Sequence, residues 1–142
     1  MYLIYNLLLI IVFILFVLPY YTYRLFTEKG FSRRFRQSLG RVHNKEIEKV
    51  MRKDCIWIHG ASVGEIVATS PLVKQIRQEM PDRPILVSAF TVGGYNMAKQ
   101  IIPEADAIIF FPLDLPFVAE SMVKRIHPGI FMPVETELWP NF

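Results

Sequence analysis

Cysteine and usefully spaced histidine are nearly absent from this chain, and each scarcity removes a class of function. The single cysteine, Cys55, excludes an internal disulfide and fits a reducing compartment. Set in an apolar run, it reads as a small buried hydrophobe. The three histidines, His43, His59 and His127, show no ligand spacing, so no metal is expected. No glycines follow a G-x-G-x-x-G pattern and no acid closes the second apolar run, so no dinucleotide cofactor is expected. No nucleic-acid partner is expected either. Charge is missing altogether from residues 1–23, and between residues 24 and 41 the only acid is Glu28.

The hydrophobic content, 52%, is high because of this first segment. Residues 2–18 are apolar except for Asn6, and Pro19 closes the run. A helix through Tyr21 would be roughly 30 Å long, enough to cross a bilayer core. Tyr2, Tyr5, Tyr20, Tyr21 and Tyr23 stand at its two ends, where amphipathic rings favour the headgroup level. A cleaved signal peptide needs basic residues before the run and small residues after it, and here PYYTYR follows. The basic residues that come next (Arg24, Lys29, Arg33, Arg34, Arg36 and Arg41) predict a single-pass inner-membrane anchor with the rest of the chain cytoplasmic. The same cluster suits anionic lipid headgroups. The expected organisation is an anchor over residues 1–23, a basic juxtamembrane segment over 24–53 and a globular domain over 54–142.

From residue 54 the pattern becomes α/β. Cys55–His59, Ile85–Phe90, Ala107–Phe111 and Gly129–Val134 are continuous apolar runs bounded by Gly, Pro or Asp, as strands buried on both faces read. Helical stretches over Glu65–Met80, Gly94–Ile102 and Pro116–Ile126 separate them. In the first, Leu72, Val73, Ile76 and Met80 are expected to share the buried face. Pro71 leaves two alternatives: a helix from near Gly64 that passes through it, or a helix capped by Ser70. Alternation predicts a Rossmann-like parallel sheet with flanking helices and strand order 3-2-1-4. Ligands bind such sheets beyond the carboxyl ends of the strands, where the order reverses. That places GASVGE (Gly60–Glu65) and ETELWPN (Glu135–Asn141) on one crevice.

Gly60 and Gly64 bracket a turn into a helix, an arrangement whose backbone N–H groups can approach an anion. Glu65 opens the helix, either as a first-turn carboxylate favoured by the helix dipole or as a general base. Glu135 and Glu137 either orient an acceptor and support developing positive charge, or serve as a cap and a solvated acid. Asp114, in PLDLP, reads as a turn residue, and His59 lies near the crevice.

The run WIHGASVGE, then PLDLP, then VETELWPN, behind an apolar helix and the basic stretch FSRRFRQSLGRV, resembles the N-terminal half of the bacterial 3-deoxy-D-manno-octulosonic acid (Kdo) transferases. The resemblance implies the N-terminal, acceptor-binding domain of a GT-B glycosyltransferase. It implies transfer of Kdo from CMP-Kdo to a lipid A precursor (lipid IVA) in lipopolysaccharide synthesis. Glu65 would be the proton acceptor and Glu135 the transition-state stabiliser, with Ser62, Gly64, Gly93 and Glu137 on the substrate. Phe90–Gly94 (FTVGG) departs from the family's TPTGS-like loop, with Gly94 in place of a serine, so a hydroxyl contact to the acceptor is altered there. The family's donor-binding half lies beyond Phe142, so the chain alone is expected to be inactive. A transferase using another activated sugar, and a non-catalytic module binding anionic lipid, are the other readings.

Overall fold

The computed structural model describes residues 2–28, 30–135 and 139–142. The apolar start forms one rod: α1 (Tyr2–Val12), a π-helical turn (Phe13–Val17) and α2 (Leu18–Thr27). The wide turn lies directly before Pro19, which lacks an N–H and crowds the turn ahead of it. Leu3–Thr27 is a 25-residue helix whose most apolar 18-residue stretch has a mean hydropathy of 2.6, long and apolar enough to cross a membrane by length and composition. Most of its side chains are exposed; the exception is Tyr21, which packs edge-on against Phe31 at 5.1 Å and beside Phe35 at 5.7 Å.

The basic stretch is folded. Gly30, at φ 85°, turns the chain into α3 (Phe31–Ser38), and a short α4 (Asn44–Ile47) follows. Val42, Ile47 and Val50 are buried against the sheet, so this segment contributes to the core as well as carrying charge.

Strands β1 (Ile56–Gly60), β2 (Ile85–Ala89), β3 (Ala107–Phe110) and β4 (Ile130–Pro133) form one parallel sheet in the order β3-β2-β1-β4. This is the expected 3-2-1-4 order, with strand ends within one residue of those read from the sequence. Ile58 pairs with Val87 on one side and Met132 on the other. On one face Ile58, Val87 and Phe110 pack under α5 (Val63–Glu79) and α6 (Val92–Ile101) through Ile66, Val73, Tyr95 and Ala98. On the other, Trp57, Leu86, Ile109 and Phe111 pack with Ile47, Val50 and α7 (Pro116–Ile126). Gln37 of α3 accepts from the Phe110 N–H at 2.8 Å, covering a polar group at the β3 edge. At the other edge, β4 pairs with β1 alone among the described residues.

For α5 the structure decides between the two alternatives at Pro71 and corrects the expected buried face. The helix runs unbroken from Val63, so Ser70 is not its cap. Pro71 removes the donor that would reach the Val67 carbonyl, and both residues lie on the exposed side, where water can replace it. Ser70 instead donates to the Ile101 carbonyl of α6 at 3.2 Å. The buried stripe is Ile66, Thr69, Val73 and Ile76, whereas Leu72 and Met80 are exposed. The i, i+3, i+4 rule held and Val73 and Ile76 face inward as expected, but the stripe continues through Thr69 rather than Leu72.

Candidate active site

The loop after β1 is closed by a reciprocal cap. Ser62 Oγ accepts from the Glu65 N–H at 3.3 Å, and the Glu65 carboxylate turns back to accept from Ala61 N–H (2.7 Å), Ser62 N–H (3.2 Å) and Ser62 Oγ–H (2.6 Å). Ser62-Val-Gly-Glu65 is the S-x-x-E capping-box spacing, a signal present in the sequence. One expectation is therefore corrected: the N–H groups of Ala61 and Ser62 are taken by the chain's own carboxylate, which occupies the place of an external anion. Gly60 permits this closeness, since a Cβ there would stand 3.2 Å from the Glu65 Cβ. Desolvation pushes the Glu65 carboxyl up, but the hydrogen bonds from Ser62 and Ala61, with the nearby His59, outweigh it and hold the group below its ordinary value.

His59 belongs to the core rather than to the open crevice. It is buried, stacks on Phe111 at 3.9 Å, and places Nδ1 3.1 Å from the Ser88 carbonyl and 3.0 Å from its hydroxyl. Cys55 is buried as expected, and desolvation raises its thiol to about 11.

The β2 loop is tied to the β1 loop. Phe90 and Thr91 N–H groups both donate to the Ala61 carbonyl, and Val63 packs over Gly93, where a Cβ would meet it at 3.1 Å. Thr91 caps α6 through Gly94 N–H at 3.0 Å. A Cβ on Gly94 would lie 3.0 Å from Thr91 Oγ1 and 3.3 Å from Ala89 Cβ, so a serine at this position would need its neighbours to give. Val63 thus sits against Gly93 and the Ser62 backbone beside Gly94. Gly64 is open, with only Ser62 Oγ within reach of a Cβ, at 4.0 Å.

The β3 and β4 loops are joined by a residue whose role sequence reasoning missed. Asp114, read as a turn residue, is buried and accepts from Asn141 N–H at 3.0 Å and from the Tyr5 hydroxyl at 2.8 Å. The Asn141 amide also donates to the Asp114 carbonyl at 2.7 Å and to Asn6 at 3.0 Å. Desolvation raises the Asp114 carboxyl, and these hydrogen bonds only partly offset it. The apolar rod therefore runs alongside the carboxyl edge of the sheet. Glu135 directly follows β4 at the strand-order reversal and is exposed. Among the described residues no hydrogen bond joins it to Glu65. Glu137 lies outside the described residues. Trp139 stacks over Phe90 at 6.3 Å, bringing the β4 loop against the β2 loop.

Fold and site together define a Rossmann-like α/β domain whose polar loops gather where the strand order reverses. A family model described as 3-deoxy-D-manno-octulosonic-acid transferase (kdotransferase) matches residues 33–142, and the chain belongs to that family. Relatives named 3-deoxy-D-manno-octulosonic acid transferase include one from Haemophilus influenzae, 40% identical over 86 residues, which are 61% of this chain and 20% of the relative. One from Chlamydia muridarum is 35% identical over 88 residues, 61% of this chain and 20% of the relative. One from Rickettsia felis is 30% identical over 103 residues, 72% of this chain and 22% of the relative. The chain thus spans about a fifth of the length of the curated relatives it matches.

Proposed function

We propose that this chain is the acceptor-side part of a GT-B glycosyltransferase that moves Kdo from CMP-Kdo to a lipid A precursor during lipopolysaccharide synthesis. The observation that carries the reading is the placement of Glu65 at the opening of α5, on the strand beside the order reversal, in a chain of the Kdo transferase family. An alcohol attacking an activated anomeric carbon passes through an oxocarbenium-like state. Its oxygen becomes strongly acidic as the new bond forms, so the base that removes the proton must chiefly be ionised and well oriented. Glu65 meets both demands: three donors orient it, its carboxyl is held below the ordinary range, and one lone-pair position is left for an acceptor hydroxyl. Glu135, exposed after β4, would support the positive charge of the transition state from the other side of the reversal. Ser62, Gly64, Gly93 and Glu137 would line the acceptor.

The test joins this chain to a donor-binding half from the same family and compares Glu65→Gln with the parent. Turnover should fall by about 10²–10⁴ while acceptor affinity holds. A variant with near-parental kcat would return Glu65 to a purely structural role. Replacing CMP-Kdo by other nucleotide sugars separates this reading from that of a transferase for a different donor.

The apolar rod supports a single-pass anchor in the inner membrane with the domain on the cytoplasmic side. Tyr5 and Tyr21 are about 24 Å apart along a helix. A full span therefore carries Tyr5 away from Asp114, and the hydrogen bond between them marks a second posture in which the rod lies along the domain.

A further inference from the structure

Arg34 is the buried cation of the basic stretch, and it has no carboxylate partner among the described residues. It is 3% exposed, and its Nη1 is shielded from solvent with no hydrogen-bond acceptor. Phe90 lies under the guanidinium at 4.3 Å, with the Tyr21 ring at 5.4 Å and Phe110 at 5.7 Å. Aromatic faces attract a cation from above and below, and the Tyr21 hydroxyl lies within hydrogen-bonding reach of the guanidinium, but Nη1 is left without an acceptor. Burial pushes this guanidinium below its usual value, and the neighbouring Tyr21 and Tyr20 only partly offset it. A desolvated charge with one donor unanswered is costly.

The same side chain lines a cavity of about 320 Å³ between the cytoplasm-proximal end of the rod and the domain. Its other walls include Val17, Tyr21, Arg24, Phe90 and Leu113. Arg24 brings a second buried donor without an acceptor, Nε, although Glu28 already pairs with its Nη2. The cavity is thus apolar along Val17 and Leu113 and cationic at Arg34. It stands beside Tyr20 and Arg24, the level at which a spanning helix would meet the headgroups. Tyr21, packed on Phe31 and Phe35, fixes this end of the rod to the domain, so the cavity persists when Tyr5 leaves Asp114.

We propose that this cavity binds the phosphate of a membrane glycerophospholipid at Arg34, with the glycerol and first acyl carbons against Val17 and Leu113. A phosphate oxygen supplies the acceptor that Nη1 lacks, and the guanidinium fork matches phosphate geometry. The inference rests on the membrane placement proposed above and not on transferase activity.

The test uses the full chain with vesicles of phosphatidylcholine alone or with added phosphatidylglycerol, and soluble glycerol phosphate as competitor. Binding should prefer phosphatidylglycerol. Arg34→Met should lower that affinity about ten- to a hundredfold, the range for hydrogen bonds to a charged group. Arg36→Ala, which removes an exposed charge of the same helix, should lower it only about fivefold. Folding is followed by circular dichroism. If Arg34→Met fails to fold, Arg34→Lys keeps the charge without the fork and should still lose about tenfold. Equal losses at Arg34 and Arg36, or wild-type affinity in a folded Arg34 variant, overturn the proposal. So does competition by millimolar glycerol phosphate, which would make this a site for a soluble phosphate. A chain that ignores both vesicle types removes the membrane reading as well, whereas one that binds both equally removes the cavity inference alone.

Discussion

Replacing Glu65 tests whether the β1 loop is closed in solution as it is here. Glu65→Ala strips Ala61 N–H, Ser62 N–H and Ser62 Oγ–H of their acceptor. The loop is half-exposed, so water recovers part of the loss, and the expected cost is about 1–2 kcal/mol, the range for losing a cap. Glu65→Gln keeps one acceptor oxygen and fits the same capping box, so it should cost about 0.5–1 kcal/mol. The pH dependence is the sharper readout. The folded carboxyl sits below its ordinary value, so the unfolded chain takes up this proton first as pH falls. The contribution is present above the ordinary carboxylate range and is lost as pH falls through the folded value. Glutamine does not titrate, so the gap between parent and Glu65→Gln should narrow from about pH 6 to about pH 3. Urea unfolding in detergent micelles, followed by circular dichroism, measures it. A constant offset across that range would show that the carboxylate does not hold the loop, and the orientation argument for a general base would fall with it.

Transfer activity should be absent from residues 1–142 alone and appear only with a donor-binding half; Kdo transfer by the isolated chain, measured with CMP-Kdo, would refute this. Asp106→Ala should destabilise the domain by about 1–3 kcal/mol in urea, because Asp106 bridges Arg77 at 2.5 Å and the Ile85 N–H at 2.9 Å, joining α5 to the start of β2. A cysteine introduced near residue 80 should react with impermeant thiol reagents only after the inner membrane is opened. Cysteines at positions 5 and 114 should be joined in detergent by a bifunctional thiol reagent about 10 Å long, since their side chains meet only tip to tip, and lose that cross-link in bilayers; equal cross-linking in both would mean that the rod stays along the domain.

The sheet order was legible because four apolar runs alternate with helical stretches, and right-handed crossovers then leave few arrangements. Helix phase was less legible. Thr69 faces the sheet because its hydroxyl is satisfied by the Glu65 carbonyl at 2.7 Å, whereas Leu72 is left outside, and a hydrophobicity count ranks them the other way. Asp114 reads as a turn residue because its partners, Tyr5 and Asn141, are 109 and 27 positions away. Arg34 stands in a run of arginines that looks uniformly solvated, and only tertiary packing singles it out. The candidate base was visible by position, but its engagement with Ala61 and Ser62 depends on a backbone turn that spacing alone only suggests.

The outward edge of β4 offers a neighbouring strand an interrupted row of donors. Ile130 and Val134 donate their N–H groups inward to Cys55 and His59, so the alternate residues Phe131 and Pro133 face outward. Pro133 has no N–H to offer, and its position costs the ladder to β1 nothing. A neighbouring strand docking there would find a donor at Phe131 and none at the next outward position. Any strand that pairs there, from further along the protein or from another chain, must therefore leave one acceptor unanswered at Pro133 or bend away from it.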